Sequence, residues 1–232
     1  MDFDRLVHEA WPAFERQAYG DWILRYADGV TKRANSVLPL GRPADLGAAI
    51  GAAEEFYTAR GTRTAFSMGP GVVPELDAEL DRRGYEVVDP TAVMARSGDT
   101  PGPAHRVRIE EHPWRAWVDT WWAVDGRYAE GRQAAERICA GVPAWYAAVE
   151  EDGVPLAVGR AVPQGDTLGI FCMATLPEAR RRGLGRSVLR ALLLRGGSRP
   201  AYLVVTRRNE TAQALYASEG FTFRQGYHYR VR

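Results

Sequence analysis

Cysteine and lysine are nearly missing from this chain of 232 residues, which has two cysteines, Cys139 and Cys172, and one lysine, Lys32. Two cysteines so far apart in sequence suggest neither a disulfide framework nor a metal-ligand set. Such sparing use fits a reducing, cytoplasmic setting. Long apolar runs are also missing. No segment approaches the roughly 20 residues of a membrane-spanning helix. The first residues include Asp2, Asp4 and Arg5 with no apolar stretch, so no signal peptide is expected. Charge of one sign is lacking too. Thirty basic and 29 acidic side chains leave a net charge of +1, which points away from nucleic acid and from membrane surfaces. With one lysine, the basic residues are nearly all arginine. That is a compositional bias, and it lowers the weight of any single arginine cluster. His8, His105, His112 and His228 show no ligand or triad spacing, so no metal is expected.

What is present is a stretch from Met173 to Val188. Residues 167–175 are apolar enough to be a buried strand, and Pro177 stops it. From Leu184 onward, apolar residues at Leu184, Val188, Leu189, Leu192 and Leu193 fall at helical spacing. Between strand and helix stands Arg180-Arg181-Arg182-Gly183-Leu184-Gly185. Its glycines free the backbone to turn tightly and leave no side chain above it. The first turn of a helix has unpaired N–H groups and a partial positive charge. Strand, loop and helix start together form an anion seat suited to a phosphate or diphosphate. No Lys-Ser/Thr follows the loop, unlike a nucleotide-hydrolysing P-loop.

The rest of the chain alternates short elements. Residues 3–19 read as a helix interrupted by Pro12. Two strands, 22–26 and 34–38, follow, with Asp28-Gly29 as a hairpin signal. Then come a helix over 43–60 closed by Gly61, a strand over 64–68, and a helix over 73–83 closed by Gly84. Strands are expected at 85–88 and 92–96. Residues 98–105 are the clearest linker. Beyond it lie a strand at 106–110, a helix with Trp114, Trp117 and Trp121 on one stripe, and a helix over 129–140. Strands at 144–150 and 155–162 are joined by the Asp152-Gly153 turn. After the central strand and its helix come a strand at 202–206, a helix capped by Asn209 and ended by Gly220, and a strand pair or one bent strand over 221–231. The tryptophan group including Trp122 reads as core, with an aromatic acceptor pocket as the other reading.

The halves repeat. Arg63 and Arg199, and Gly84 and Gly220, stand 136 positions apart (199 − 63 and 220 − 84). Such a match arises by chance in αβαβ chains or marks two related units. On the second reading the first unit has lost its chemistry. Ala44, Ala49, Val73 and Leu80 stand where the second has Arg180, Gly185, Asn209 and Tyr216, and only Gly47 matches Gly183.

Thr175, Pro177, Arg180, Gly183 and Gly185 resemble the pattern Val-x-Pro-x-x-(Arg/Gln)-x-x-Gly-x-(Gly/Ala) of the GNAT acetyltransferase superfamily, with Thr for the usual Val. Downstream, Asn209, Ala212, Leu215, Tyr216, Gly220 and Phe221 match all six marked positions of its second motif, Asn-x-x-Ala-x-x-Leu-Tyr-x-x-x-Gly-Phe. The resemblance covers about residues 106–232. It implies a mixed, mostly antiparallel α/β (α+β) sheet flanked by helices, in two tandem GNAT-like units: a degenerate unit over 1–97, the linker 98–105 and a catalytic unit over 106–232. It also implies acetyl-CoA as cofactor, held by Met173, Ala174, Thr175, Arg180, Arg181, Arg182, Gly183, Leu184, Gly185, Arg186, Asn209 and Ala212. The central strand and the strand at 202–206 would splay apart around the thioester.

The expected reaction moves an acetyl group to a primary amine of a small molecule, peptide or protein. A backbone N–H near Met173 would stabilise the oxyanion. Tyr216 matches the family's usual acid for the leaving thiolate, against a reading in which it only packs. Asn209 reads equally as helix cap or cofactor contact. The base is open among Glu110, Glu111, Asp119, Glu130, Glu150 and water relays. A monomer or homodimer with no nucleic-acid or membrane partner is expected. The competing reading is a non-enzymatic acyl-CoA-binding regulatory module, against which the intact Tyr216 argues.

Overall fold

The structure, a computed structural model, describes residues 1–126 and 130–232. The first half runs α1 (Phe3–Ala10), β1 (Glu15–Tyr19), β2 (Trp22–Tyr26), β3 (Leu38–Pro39), α2 (Leu46–Thr58), β4 (Ala65–Met68), α3 (Pro74–Arg82) and β5 (Glu86–Arg96). The second runs β6 (Arg108–Glu110), α4 (Arg115–Asp125), α5 (Arg132–Ala140), β7 (Trp145–Glu151), β8 (Val154–Gln164), β9 (Thr167–Thr175), α6 (Leu184–Gly196), β10 (Ala201–Thr206), α7 (Glu210–Ser218) and β11 (Thr222–Val231). Residue Ala129, where the α5 helix was expected to start, lies outside the described residues. No described helix is long and apolar enough to cross a membrane.

Turn chemistry sets the outer strands. Asp152 and Gly153 have φ of 51° and 78°, the left-handed pair of a two-residue hairpin, and they place Glu151 opposite Val154. At the other end Gly20, φ 56°, reverses β1 into β2 with Tyr19 opposite Trp22. The expected helix over 3–19 therefore stops at Ala10. Pro12, which lacks an N–H, follows its C-cap Trp11. The expected strand at 34–38 is also replaced, by a loop that Asn35 holds. The Asn35 side chain accepts from the N–H of Ala27 and Gly29 at 2.7 and 3.0 Å and donates to the carbonyls of Ala27, Val30 and Thr31. A side chain satisfying that many backbone groups outcompetes a strand ladder.

Eight strands form one sheet in the order β4-β11-β5-β10-β9-β8-β7-β6, and β1-β2-β3 form a smaller one. The two meet where Val37 bridges Phe66 in parallel, with Ser67 N–H donating to the Val37 carbonyl at 2.9 Å. The 136-residue offset is structural. α3 and α7, β4 and β10, and β5 and β11 begin at residues separated by it. Gly61 and Gly197, φ 64° and 68°, and Gly84 and Gly220, φ 79° and 85°, close equivalent helices. The halves also exchange strands. β11 lies between β4 and β5, and β5 lies between β11 and β10, both pairings antiparallel. The two short strands expected at 85–88 and 92–96 are one strand, β5, bent where Asp89 takes φ 48° before Pro90. β11 is likewise single, with register shifts after Phe223 and Tyr227.

Three apolar cores result. One lies between the sheet and α1, α4 and α5 and contains Trp11, Trp117, Trp121, Phe171 and Tyr202. α6 and α7 cover the opposite face. α2 and α3 cover the first half's sheet. The tryptophan stripe is core: Trp117 is fully buried and donates to the Ala147 carbonyl at 3.1 Å.

Under α1, Arg25 is buried with His8 Nδ1 3.3 Å from its Nη1. Burial, then the Arg25 charge, lowers the imidazole from 6.5 to about 4. The unfolded chain therefore binds this proton first as pH falls. The stability is complete above 6.5 and is lost as pH drops towards about 4. Urea unfolding from pH 8 to 4 should show wild type losing stability relative to His8→Gln over that window. Parallel curves would remove His8 as the cause.

Candidate active site

β10 binds its two neighbours unequally. All six of its residues pair with β5, from Ala201 opposite Arg96 to Thr206 opposite Thr91. Only Ala201, Tyr202 and Leu203 pair with β9, in parallel, opposite Leu168, Gly169 and Ile170. Beyond that point β9 follows β8 and β10 follows β5. A gap opens between residues 171–175 and 204–206.

The Gly loop stands at the end of β9. A 3-10 turn, Pro177–Ala179, follows Leu176. Arg181 then takes φ 66° and Gly183 φ 79°, and Gly183 is the N-cap of α6 without a side-chain cap. Arg180 N–H donates to Pro177 and Ser187 N–H to Gly183. Among the described residues, the amides of 181–186 in between have no hydrogen-bond partner. Alternating left- and right-handed residues turn successive N–H groups into one concavity. A Cβ on Gly183 would meet only the His105 ring, at 3.8 Å, so the space above it is open. One on Gly185 would stand 3.0 Å from Thr175 Oγ1, which explains the small residue where helix meets strand. These donors and this space fit a diphosphate.

The first half treats its helix start differently. Asp45 caps α2, its carboxylate accepting from Ala48 N–H at 2.9 Å. A fixed negative charge fills the place that the second half leaves open.

The other sequence candidates divide. Asn209 is a helix cap, its Oδ1 accepting from Ala212 N–H at 3.1 Å; Ala212 is half-buried beside it. Tyr216 lies one turn on, 8 % exposed, its ring 6.0 Å from that of Phe221. Among the described residues its hydroxyl makes no hydrogen bond. Burial raises the phenol from 10.0 to about 12. Arg180 Nε donates to the Thr175 carbonyl at 3.2 Å and ties the loop to β9. Arg181 is exposed and has no ion pair among the described residues. The other two arginines are drawn away: Arg182 pairs with Glu151, and Arg186 Nε pairs with Glu219 at 2.8 Å. Glu219 also takes both Nε and Nη2 of Arg190, at 2.7 and 3.0 Å. Met173, Ala174 and Thr175 form the unpaired edge of β9. Of the carboxylates considered as base, Glu110 and Glu150 pair with Arg108, Glu111 with Arg195 and Asp119 with Arg132.

Three features were not read from the sequence. Cys172 takes φ 52°, and the β8–β9 register slips so that Cys172 and Met173 together face Gly159. This is a β-bulge at the mouth of the gap. Gly159 makes room for it: a Cβ there would lie 2.5 Å from Met173 Sδ and 2.8 Å from Val188. His105 packs on the start of α6, with Nδ1 3.0 Å from Ser187 Oγ. A lone glycine in an apolar strand was the one available signal.

A mostly antiparallel sheet, splayed at its one parallel pair, with a glycine-capped helix rising from the splay, defines the GNAT N-acetyltransferases. The chain belongs to the family described as "Probable histone acetyltransferase Rv0428c C-terminal", matched over residues 4–231. It is 27% identical to the uncharacterized N-acetyltransferase YobR of Bacillus subtilis over 99% of this chain and 97% of that one. It is also 27% identical to the probable histone acetyltransferase Rv0428c of Mycobacterium tuberculosis, over 95% of this chain and 69% of the relative. Among solved structures, a GCN5-related N-acetyltransferase from Kribbella flavida superposes with a TM-score of 0.72 at 17% identity, covering 98% and 94% of the two chains. A tandem GNAT protein from the clavulanic acid biosynthesis pathway gives 0.64 at 12%, covering 100% and 87%. The chain is thus an N-acetyltransferase, and enzymes of this superfamily use acetyl-CoA.

Gly159→Val should cost about 2–3 kcal/mol in urea unfolding, because the added methyls push Met173 and α6 off the sheet. Unchanged stability would mean that the bulge does not need this space.

Proposed function

We propose that this chain transfers the acetyl group of acetyl-CoA to a primary amine by direct attack, within the unit formed by residues 106–232. The observation that carries the reading is the run of unpartnered amides at 181–186, opening on the gap beside β9. Bound there, acetyl-CoA supplies the activated acetyl thioester. The amides and the helix start neutralise its diphosphate, with Arg181, which has no ion pair among the described residues, as a cation at the rim. Asn209 and Ala212 line the other wall. The unpaired edge of β9 at Met173 offers a backbone donor to charge that develops on the acyl oxygen.

Tyr216 serves as the acid group beside the departing thiolate. Its burial keeps the phenol protonated through the neutral range. A thiol near 8.5 is the stronger acid by about 3–4 pK units, so the phenol acts by donating a hydrogen bond as the C–S bond breaks. The acceptor enters from the face covered by α1, α4 and α5, since α6 and α7 occupy the cofactor's side. An amine arrives mostly as ammonium. Four of the carboxylates weighed as base, Glu110, Glu111, Asp119 and Glu150, are held in arginine pairs, and the proton leaves through water. The name of the mycobacterial relative makes a lysine side chain of a protein one acceptor to test beside small amines. Residues 1–97, with Asp45 filling the equivalent helix start, act as structural cover joined by the 98–105 linker.

Gly183→Glu should abolish acetyl-CoA affinity. The substitution forces a side chain into a left-handed position at about 1 kcal/mol or more and sets a carboxylate in the seat. Wild-type affinity of this variant by calorimetry would contradict the seat. Tyr216→Phe should lower turnover roughly a hundredfold with affinity for acetyl-CoA unchanged. Thiol release assayed with a panel of amines reads both, and full turnover in the phenylalanine variant removes Tyr216 as donor.

A further inference from the structure

The two thiols of this chain meet. Cys139 on α5 is buried and Cys172 on β9 half-buried, and their Sγ atoms are 3.7 Å apart. Beside them lies Arg160 of β8, fully buried. Its Nη1 donates to the Ala10 carbonyl at 3.0 Å. Among the described residues its Nε and Nη2 have no partner, and it makes no ion pair. A buried cation is costly unless a counter-charge stands near it. The two thiols and the Tyr146 hydroxyl stand near it, the thiols acting on it more strongly. Burial opposes loss of the proton at Cys139, but the Cys172 hydrogen bond and the Arg160 charge outweigh it and hold this thiol below its ordinary range. Asp125 and Glu136 act against them. Burial and the Cys139 charge hold the second proton on Cys172. The two thiols are thus in contact and shifted in opposite directions, Cys139 the more acidic, the arrangement of an oxidisable dithiol.

Position links this pair to the gap. Cys172 is the left-handed residue of the β9 bulge, next to Met173. It packs against the core under α1, α4 and α5, whereas Met173 packs towards α6.

We propose that Cys139 and Cys172 are a thiol modification site for hydroperoxides, which closes into a disulfide and weakens the cofactor seat. The thiolate attacks the O–O bond of the peroxide, giving a sulfenic acid and, after protonation of the leaving oxygen, water or an alcohol. The second thiol then attacks the sulfenic sulfur; the S–S bond forms and a second water leaves. Two electrons pass from the thiols to the peroxide. To bond, the sulfurs must close from 3.7 Å to about 2.0 Å. That closure draws the bulge towards α5 and away from α6, and so withdraws Met173 from the gap. The coupling to affinity rests on the seat proposed above, but the oxidation does not.

The test treats the reduced full chain with equimolar hydrogen peroxide, alkylates it under denaturing conditions and weighs it. The expected product has lost about 2 Da, takes up no alkyl group and is restored by dithiothreitol. Its digest yields a peptide linking residues 139 and 172. Calorimetry with acetyl-CoA, whose thioester cannot exchange with the disulfide, should show affinity falling roughly tenfold or more on oxidation. Peroxide-treated Cys139→Ser should keep the affinity of the reduced wild type. Alkylation of both cysteines after peroxide, or a crosslink between two chains, overturns the dithiol. Equal affinity of the oxidised and reduced proteins overturns the coupling. Reduced protein that binds no acetyl-CoA overturns the seat and the coupling together, while the mass still decides the dithiol.

Discussion

The antiparallel pairing of β5 with β10 and β11 is the constraint on which the molecule depends. β5 comes from the first half, yet it completes the sheet of the second. It holds β10 along its whole length, while β9 holds β10 over three residues. A strand bound firmly on one side and briefly on the other follows its firm partner. The gap is therefore a consequence of unequal pairing. β11 is bound reciprocally, between β4 and β5, so neither half exposes a bare edge at the centre of the sheet.

The two repeats show how one architecture carries opposite electrostatics. α2 and α6 rise from equivalent places, and each presents the positive end of its dipole there. At α2 the Asp45 carboxylate accepts from Ala48 and neutralises that end. At α6 a left-handed glycine stands in the same role with no side chain to offer. The amides beyond it stay open. The arginines add less than their number suggests, because Glu151 and Glu219 draw Arg182 and Arg186 towards the helix flank and the β7–β8 hairpin.

Local chemistry was legible in the sequence; long-range pairing was not. The 167–175 strand, the Gly loop and the helix from Leu184 stand where periodicity and glycine placed them. So does the Asn209 cap. The 136-residue offset points to a repeat, and equivalent helices, strands and left-handed glycines stand at that spacing. The exchange of β5 and β11 leaves no local mark, since both read simply as apolar strands. Asn35 misled because its influence lies in five backbone bonds that no pattern of apolar residues reveals. The helix reading of 3–19 ran past Pro12 because exposed, polar β1 carries no alternation. The Cys139–Cys172 contact depends on α5 lying across β9, which spacing alone does not encode.

Unpaired backbone donors and two strained residues meet at one place. Among the described residues, 171–175 and 204–206 each lack ladder partners on the side facing the gap, and the amides of 181–186 have no partner. Cys172 and Arg181 are non-glycine residues at positive φ, each costing about 1 kcal/mol or more. Arg160 keeps two unpartnered nitrogens under the same strand. Elsewhere some buried polar groups are well satisfied, as at Asn35 or at Tyr57, whose hydroxyl accepts from the Arg25 N–H and donates to the Arg25 carbonyl, and others, such as Arg96 Nε and Trp121 Nε1, are not. Backbone donors left open in this way are available to a ligand, and anything binding there stabilises the folded state by mass action.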